Sequence, residues 1–236
     1  MNSGRAFGGL RADRVILKNC GIKNFGASGI GQTAQAGREL VFDNIVSTGN
    51  GNKGININVG SGETRFVTIS NSKFDGNVRE GARVESNVEN FGIVVYDTSF
   101  NSNGEDGFRG NVRNKDQTFF FADIVANKNG ENGIRIAGGK AFKVDISGSE
   151  TNENGQRGIR INNASAVTIN RSEACDNDAL EGDINNADIR LPINDGRGSS
   201  TDISSEGVTC DDSRPNDLCD CTCMGGSKSK TGKSRD

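Results

Sequence analysis

Residues Phe119 to Ile136 read F-F-F-A-D-I-V-A-N-K-N-G-E-N-G-I-R-I, and this stretch decides the fold. Its anchor is Asn129, followed four residues later by Gly133 and then by the apolar Ile134. The frame recurs as Asn50, Gly54, Ile55; as Asn77, Gly81, Ala82; as Asn103, Gly107, Phe108; and as Asn154, Gly158, Ile159. Asn24 begins an imperfect copy, and Asn177 begins one whose glycine is displaced by one residue. Successive anchors lie 26, 27, 26, 26, 25 and 23 residues apart. A fixed period of this size marks stacked repeats, each too small to bury its own apolar side.

Each repeat carries strands. Eight residues before the anchors stand Ile16, Phe42, Ile69, Val95, Phe121, Ile146 and Ile169. Ten residues before, from the second copy on, stand Leu40, Val67, Ile93, Phe119, Val144 and Val167. A spacing of two is the period of a strand with one buried face. After the glycine a second such pair follows: Ile55 and Ile57, Ala82 and Val84, Ile134 and Ile136, Ile159 and Ile161. A weaker third segment, as at Gly138 to Ala141, closes the circuit. Parallel pairing between coils about 4.8 Å apart then stacks the asparagines into a column, with amide bonded to amide. The glycines suit turns with positive φ or positions with no room for a side chain.

The N-G-x-x-G-I units, N129-G-E-N-G-I134 above all, resemble the coils of right-handed parallel β-helix proteins. That superfamily includes pectate lyases, polygalacturonases, alginate epimerases and phage tailspikes. The resemblance spans roughly residues 10 to 193 and implies an all-β, single-stranded right-handed parallel β-helix solenoid of about seven coils of about 26 residues. Residues 1–193 are expected to form this β-helix. Residues 194–236, rich in Ser, Asp, Gly and Lys, are expected to be largely disordered. After Asn177 the pattern drifts, and Ala187 to Leu191 alternates like a first strand. Little sequence precedes the first coil to cap it, so the chain reads as one section of a longer protein.

Composition narrows the function. The hydrophobic share, 32%, suits a slender apolar column, and 33 glycines against 2 prolines imply many turns. A net charge of -3 argues against a general nucleic-acid partner. No apolar run is long enough to cross a membrane as a helix. The chain has no histidine, which removes Ser-His-Asp triads and His-ligated metals. Cys20 and Cys175 lie in distant coils and cannot pair with each other; Cys210, Cys219, Cys221 and Cys223 cluster in the tail. Their C-x-C-x-C spacing suits disulfides in a secreted chain better than a zinc site.

Candidate site residues fall in columns. Six residues after each anchor come Asn56, Arg83, Arg109, Arg135, Arg160 and Asp183, facing outward by alternation. Stacked arginines repel by about 1 kcal/mol per neighbouring pair, and Glu80, Glu85, Asp106 and Glu131 are near enough in sequence to relieve this. One reading is a solvated face of mixed charge. The other is a groove whose arginine forks meet regularly spaced carboxylates or sulfates of an acidic polysaccharide. A second outward column holds Val15, Leu17, Val41, Val94, Tyr96, Phe120 and Ala122. It is apolar enough to be covered or packed against a partner, or to serve as a sugar-stacking platform centred on Tyr96. Asp97 and Asp123 are equivalent in adjacent coils, with Asp43 and Asp145 nearby, and have the chemistry to hold calcium or act as an acid/base pair.

The functional expectation is a non-catalytic carbohydrate-facing or surface-structural module, secreted or at the cell surface. It would meet acidic polysaccharide or the other coils of a longer protein. The alternative implied by the resemblance is a lyase or C5-epimerase acting on uronate polymers, in which an arginine beside Asp97 or Asp123 would serve. Against it, the G-H-G and R-I-K motifs of polygalacturonases and the D-P-H motif of alginate epimerases are absent. A third reading is an assembly module that uses the unpaired strands at its coil ends.

Overall fold

The computed structural model describes residues 4–8, 14–34, 39–60, 66–114, 116–175 and 177, and the short strands Ile189–Arg190, Asp202–Glu206 and Thr209–Cys210. Two ladders of parallel strands run its length. The strands that precede the asparagines form sheet A: Arg14–Lys23, Glu39–Thr48, Phe66–Ser70, Gly92–Ser99 and Gln117–Val125. Sheet A continues into the later halves of Ile134–Ser147 and Ile159–Asn170, and then Asp202–Glu206. The strands that follow the glycines form sheet B: Phe7–Gly8, Ile30–Ala34, Ile55–Val59, Ala82–Ser86 and Phe108–Val112. The earlier halves of the same two long strands and Ile189–Arg190 complete it. The chain is therefore an all-β, single-stranded parallel β-solenoid with a period of about 26 residues.

The core is the interior between the sheets. From sheet A come Phe42, Ile69, Val95, Phe121, Ile146 and Ile169, and from sheet B Ile55, Ala82, Phe108, Ile134 and Ile159, all buried. A further buried layer, three residues before each anchor, holds Phe74, Phe100, Ala126 and Ala174; Phe74 and Phe100 stack at 5.6 Å between ring centroids. Each fully buried Phe or Ile stabilises the fold by about 1.5–3 kcal/mol relative to exposure. Gly110 replaces the aliphatic residue of its column because a Cβ there would lie 2.6 Å from Phe119 Cε1. Aromatic bulk in sheet A is thus matched by a missing side chain in sheet B.

The asparagine column forms as the spacing predicts. The backbone N–H and Nδ2 of Asn50 both donate to Asn77 Oδ1, at 3.1 and 2.9 Å. The same pair of bonds joins Asn77 to Asn103, Asn103 to Asn129, Asn129 to Asn154 and Asn154 to Asn177. Each buried carboxamide satisfies a backbone donor that the turn would otherwise leave bare. The glycines four residues on do not take positive φ. They are there for close approach: a Cβ on Gly81 would lie 2.7 Å from the Gly107 carbonyl oxygen and 2.8 Å from Asn103 Nδ2.

At three places the structure differs from the sequence expectation. In the first coil the anchor position is Phe25, whose N–H donates to Asn50 Oδ1, and Phe25, Gly29 and Ile30 keep the frame that Asn24 breaks. The register moves by one, so Val15 is buried beside Leu40 and Ile16 is exposed. After Asn177 the next sheet B strand comes later in the sequence than in other coils: Ile189 and Arg190 pair with Ile159 and Arg160 in sheet B, not as a first strand. Finally, Asp202–Glu206, inside the stretch expected to be disordered, pairs with Ala166 to Asn170. Cys175 is disulfide-bonded. Residues 1–3 and 9–13, the return loop at 61–65, Asp183, and 211–236 with Cys219, Cys221 and Cys223 lie outside the described residues.

Candidate functional site: the arginine face of sheet B

Strand register lines up Asn56, Arg83, Arg109, Arg135, Arg160 and Arg190, one per coil. Arg190 stands where the sequence spacing put Asp183, so the arginine column extends one coil further. Two residues along each strand a second column runs Asn58, Glu85, Asn111, Ala137 and Asn162. Arg83, Arg109 and Arg135 are about a fifth exposed, with side-chain accessibilities of 23%, 22% and 22%. Their stems lie along the sheet and their guanidinium groups reach toward the Asn/Gly turn.

Beneath them, one residue before each frame glycine, lies a buried polar column: Lys53, Glu80, Asp106, Asn132 and Arg157. Lys53 Nζ stands 3.3 Å from Glu80 Oε2. Asp106 Oδ1 accepts from the N–H and Nδ2 of Asn132, at 3.1 and 2.7 Å. The arginines cover these acids. Arg83 reaches Glu80 at 3.4 Å and also bonds Glu85; Arg109 reaches Glu80 at 3.7 Å; Arg135 reaches Asp106 at 3.7 Å and Glu131 at 3.5 Å. At the rim Arg79 makes a two-pronged bond to Glu105, at 2.6 and 3.2 Å.

The electrostatics follow from this layering. Burial pushes the Asp106 carboxyl up to about 6, although Asn132 and Arg135 pull the other way. Burial also lowers the Lys53 ammonium, against the attraction of Glu80. The Arg79 hydrogen bonds hold Glu105 below the ordinary carboxylate range. Burial would raise Glu85, but the hydrogen bond and charge of Arg83 leave it below its ordinary value. Arg83 and Arg135 are thus well supplied with carboxylates. Arg109 makes one long contact; its buried Nε, like that of Arg135, has no hydrogen-bond partner.

The other candidates fall elsewhere. Tyr96 lies in sheet A, half-buried, in register with Ser70 and Ala122. Asp97 and Asp123 are equivalent and exposed, with φ of 47° and 53°. They belong to a column of left-handed residues that also holds Asn19, Asn44, Asn71 and Arg171, where each sheet A strand bends. Short Asp and Asn side chains tolerate that conformation best. Two exposed carboxylates supply few of the six to eight oxygens calcium takes, and among the described residues no three His, Cys, Asp or Glu converge as a metal site. The residues present do not fit a calcium centre.

The buried charge column escaped the sequence reading because its chemistry changes from coil to coil. Only its fixed offset, three residues past the anchor, could have revealed it. The arginine column was legible because four of its residues are identical. No protein-family model, curated protein or solved structure matches the chain.

Proposed function

We propose that this chain is a non-catalytic solenoid module that presents the arginine face of sheet B to an acidic polysaccharide outside the cell. The observation that carries the reading is the in-register column of Arg83, Arg109, Arg135 and Arg160, beside a second column that holds Asn58, Asn111 and Asn162 with Glu85 and Ala137 between them. A repeating polymer meets a repeating row of forked donors, and the asparagines add neutral hydrogen bonds suited to hydroxyl groups. The bond at Cys175 supports an oxidising compartment. Right-handed winding over about seven coils, as in pectate-lyase-like proteins, is part of the same reading and follows the strong bias of parallel crossovers. A lyase or epimerase would need a base that substrate can reach. Asp106, the carboxyl whose affinity for protons is raised, is fully buried beneath Arg135 and cannot make that contact.

A glycan array with alginate, pectate and sulfated polymers tests the proposal, with the same samples followed at ~232 nm for unsaturated products. Retention of acidic polymers without turnover supports it. Product formation would replace it with the enzyme, and a folded protein that retains no acidic polymer would contradict it.

A further inference from the structure

Among the described residues, two acids lie buried beneath the arginine face, and their company differs. Glu80 is ringed by cations: Lys53 at 3.3 Å, Arg83 at 3.4 Å, Arg109 at 3.7 Å and Arg79 at 4.0 Å. Asp106 is equally buried, and the cation that reaches it among the described residues is Arg135, at 3.7 Å. That approach is made to Oδ2, which accepts no hydrogen bond; the two bonds from Asn132 go to Oδ1. Arg135 itself is divided between Asp106 within and Glu131 at the rim, 3.5 Å away and a third exposed. The other charges around Asp106 are engaged elsewhere. On its own coil Glu105 is held by Arg79 of the coil before, and Arg109 reaches back to Glu80. The coil after supplies Glu131 and Arg135.

We infer that Asp106 is a proton-operated clasp on Arg135, holding its guanidinium inward while ionised and releasing it to the surface once protonated, so that the arginine face binds acidic polymer more tightly as pH falls. The inference rests on the arginine-face reading for its ligand and adds the regulation of that site. A neutral carboxyl no longer attracts the guanidinium, which keeps Glu131 at the exposed rim. The charge of Arg135 is then available to a carboxylate arriving from solvent. Burial supplies the other half of the device by moving the titration of Asp106 from the ordinary 3.8 to about 6. The chain has no histidine, so few other side chains change charge between about pH 5 and 7.5. An anion bound at Arg135 favours the neutral form of Asp106, so binding takes up a proton. By linkage, a lower pH then tightens binding by the same factor. Removing one negative charge about 7 Å from the bound anion changes affinity by about tenfold at the effective dielectric of a protein surface.

Nitrogen NMR of the full chain tests the clasp without a ligand. The Arg135 Nε–Hε signal, assigned by its loss in Arg135→Lys, should move with pH, with a midpoint at about 6. In Asp106→Asn it should stay still, whereas in Glu131→Gln, which removes the rim acid, it should still move. A second arm reads affinity for polygalacturonate at constant ionic strength. Wild type should bind about fivefold to tenfold more tightly at about pH 5 than at about pH 7.5, and Asp106→Asn should bind tightly at both. Loss of charge from the polymer's own carboxylates acts in the opposite direction, so the polymer cannot produce the gain. A signal that stays still in wild type, or moves equally in Asp106→Asn, overturns the inference. So does polymer binding that is equally tight at both pH values. A signal that moves as expected, in a protein that retains no polymer, supports the clasp and defeats the arginine-face reading alone.

Discussion

At the scale of single residues, Asp106 is the point of greatest electrostatic cost. It is fully buried, accepts two bonds from Asn132, and lies 3.7 Å from the nearest Arg135 nitrogen. Its proton affinity rises from the ordinary 3.8 to about 6. The folded state therefore binds the proton more tightly than the unfolded chain does. The resulting penalty is absent below about pH 4, grows as pH rises, and is complete above about pH 6, at about 3 kcal/mol. The depressed carboxylates Asp43, Glu85 and Glu105 act oppositely, losing their stabilising effect only as pH falls below the ordinary range. Maximum stability should thus fall near pH 5. Asp106→Asn is structurally mild, since Asn132 fills the same position one coil on. It should stabilise the protein at pH 7.5 by about 1–3 kcal/mol and flatten the gain on acidification, as read by urea unfolding at several pH values. Asn129→Ala should do the reverse. It strips the partner from the N–H and Nδ2 of Asn103, both buried, and removes one of the two donors to Asn154 Oδ1, which keeps the backbone N–H of residue 129; it should cost about 3 kcal/mol in the same assay.

At the scale of the coil, the turn geometry makes the glycines unequal. A Cβ on Gly133 would lie 2.7 Å from the Gly158 carbonyl oxygen and 2.8 Å from that of Ala126, both backbone atoms that cannot step aside. Gly60 has nothing within 4 Å of the same probe position. Gly133→Ala should therefore lower the stability by about 3 kcal/mol or more, read as a sharp fall in melting temperature, while Gly60→Ala should stay within about 0.5 kcal/mol of wild type. Equal losses from the two would mean that the coil spacing is looser than described. The same geometry explains how much of the coil the sequence makes legible. Where one contact repeats, one residue type repeats, so the asparagine and glycine columns stand out by eye. The first coil misleads because Asn24 carries the right chemistry one place too early, while Phe25 holds the position that the backbone uses. The sequence after Asn177 misleads because extra residues before Ile189 destroy the only signal available, the spacing. Glu80 and Asp106 stand out as acids near the arginines, but the buried column they form with Lys53, Asn132 and Arg157 stayed hidden because such a column needs complementary neighbours, not identical ones.

At the scale of the whole molecule, the two sheets divide the surface between two chemistries. Sheet B carries arginines over buried acids, bordered by asparagines; sheet A carries an apolar strip edged by ion pairs. The candidate site was legible as a row of arginines with acids near them in sequence, but the burial of Glu80 and Asp106 beneath the row became visible only once the coils were stacked. Their presence sets what the face can do. Because Arg83 bonds Glu85 and Arg135 reaches two carboxylates while Arg109 reaches one, binding should lean on Arg109 and on several weak contacts spread along the polymer. The measurement that tests the account most directly is the affinity for polygalacturonate as a function of salt, for wild type and for Arg109→Ala with Arg135→Ala. The account predicts binding that weakens steeply with salt, and a double variant that remains folded, binds about tenfold or more weakly and has a shallower salt dependence. Equal affinity for the two proteins, or binding indifferent to salt, would contradict it.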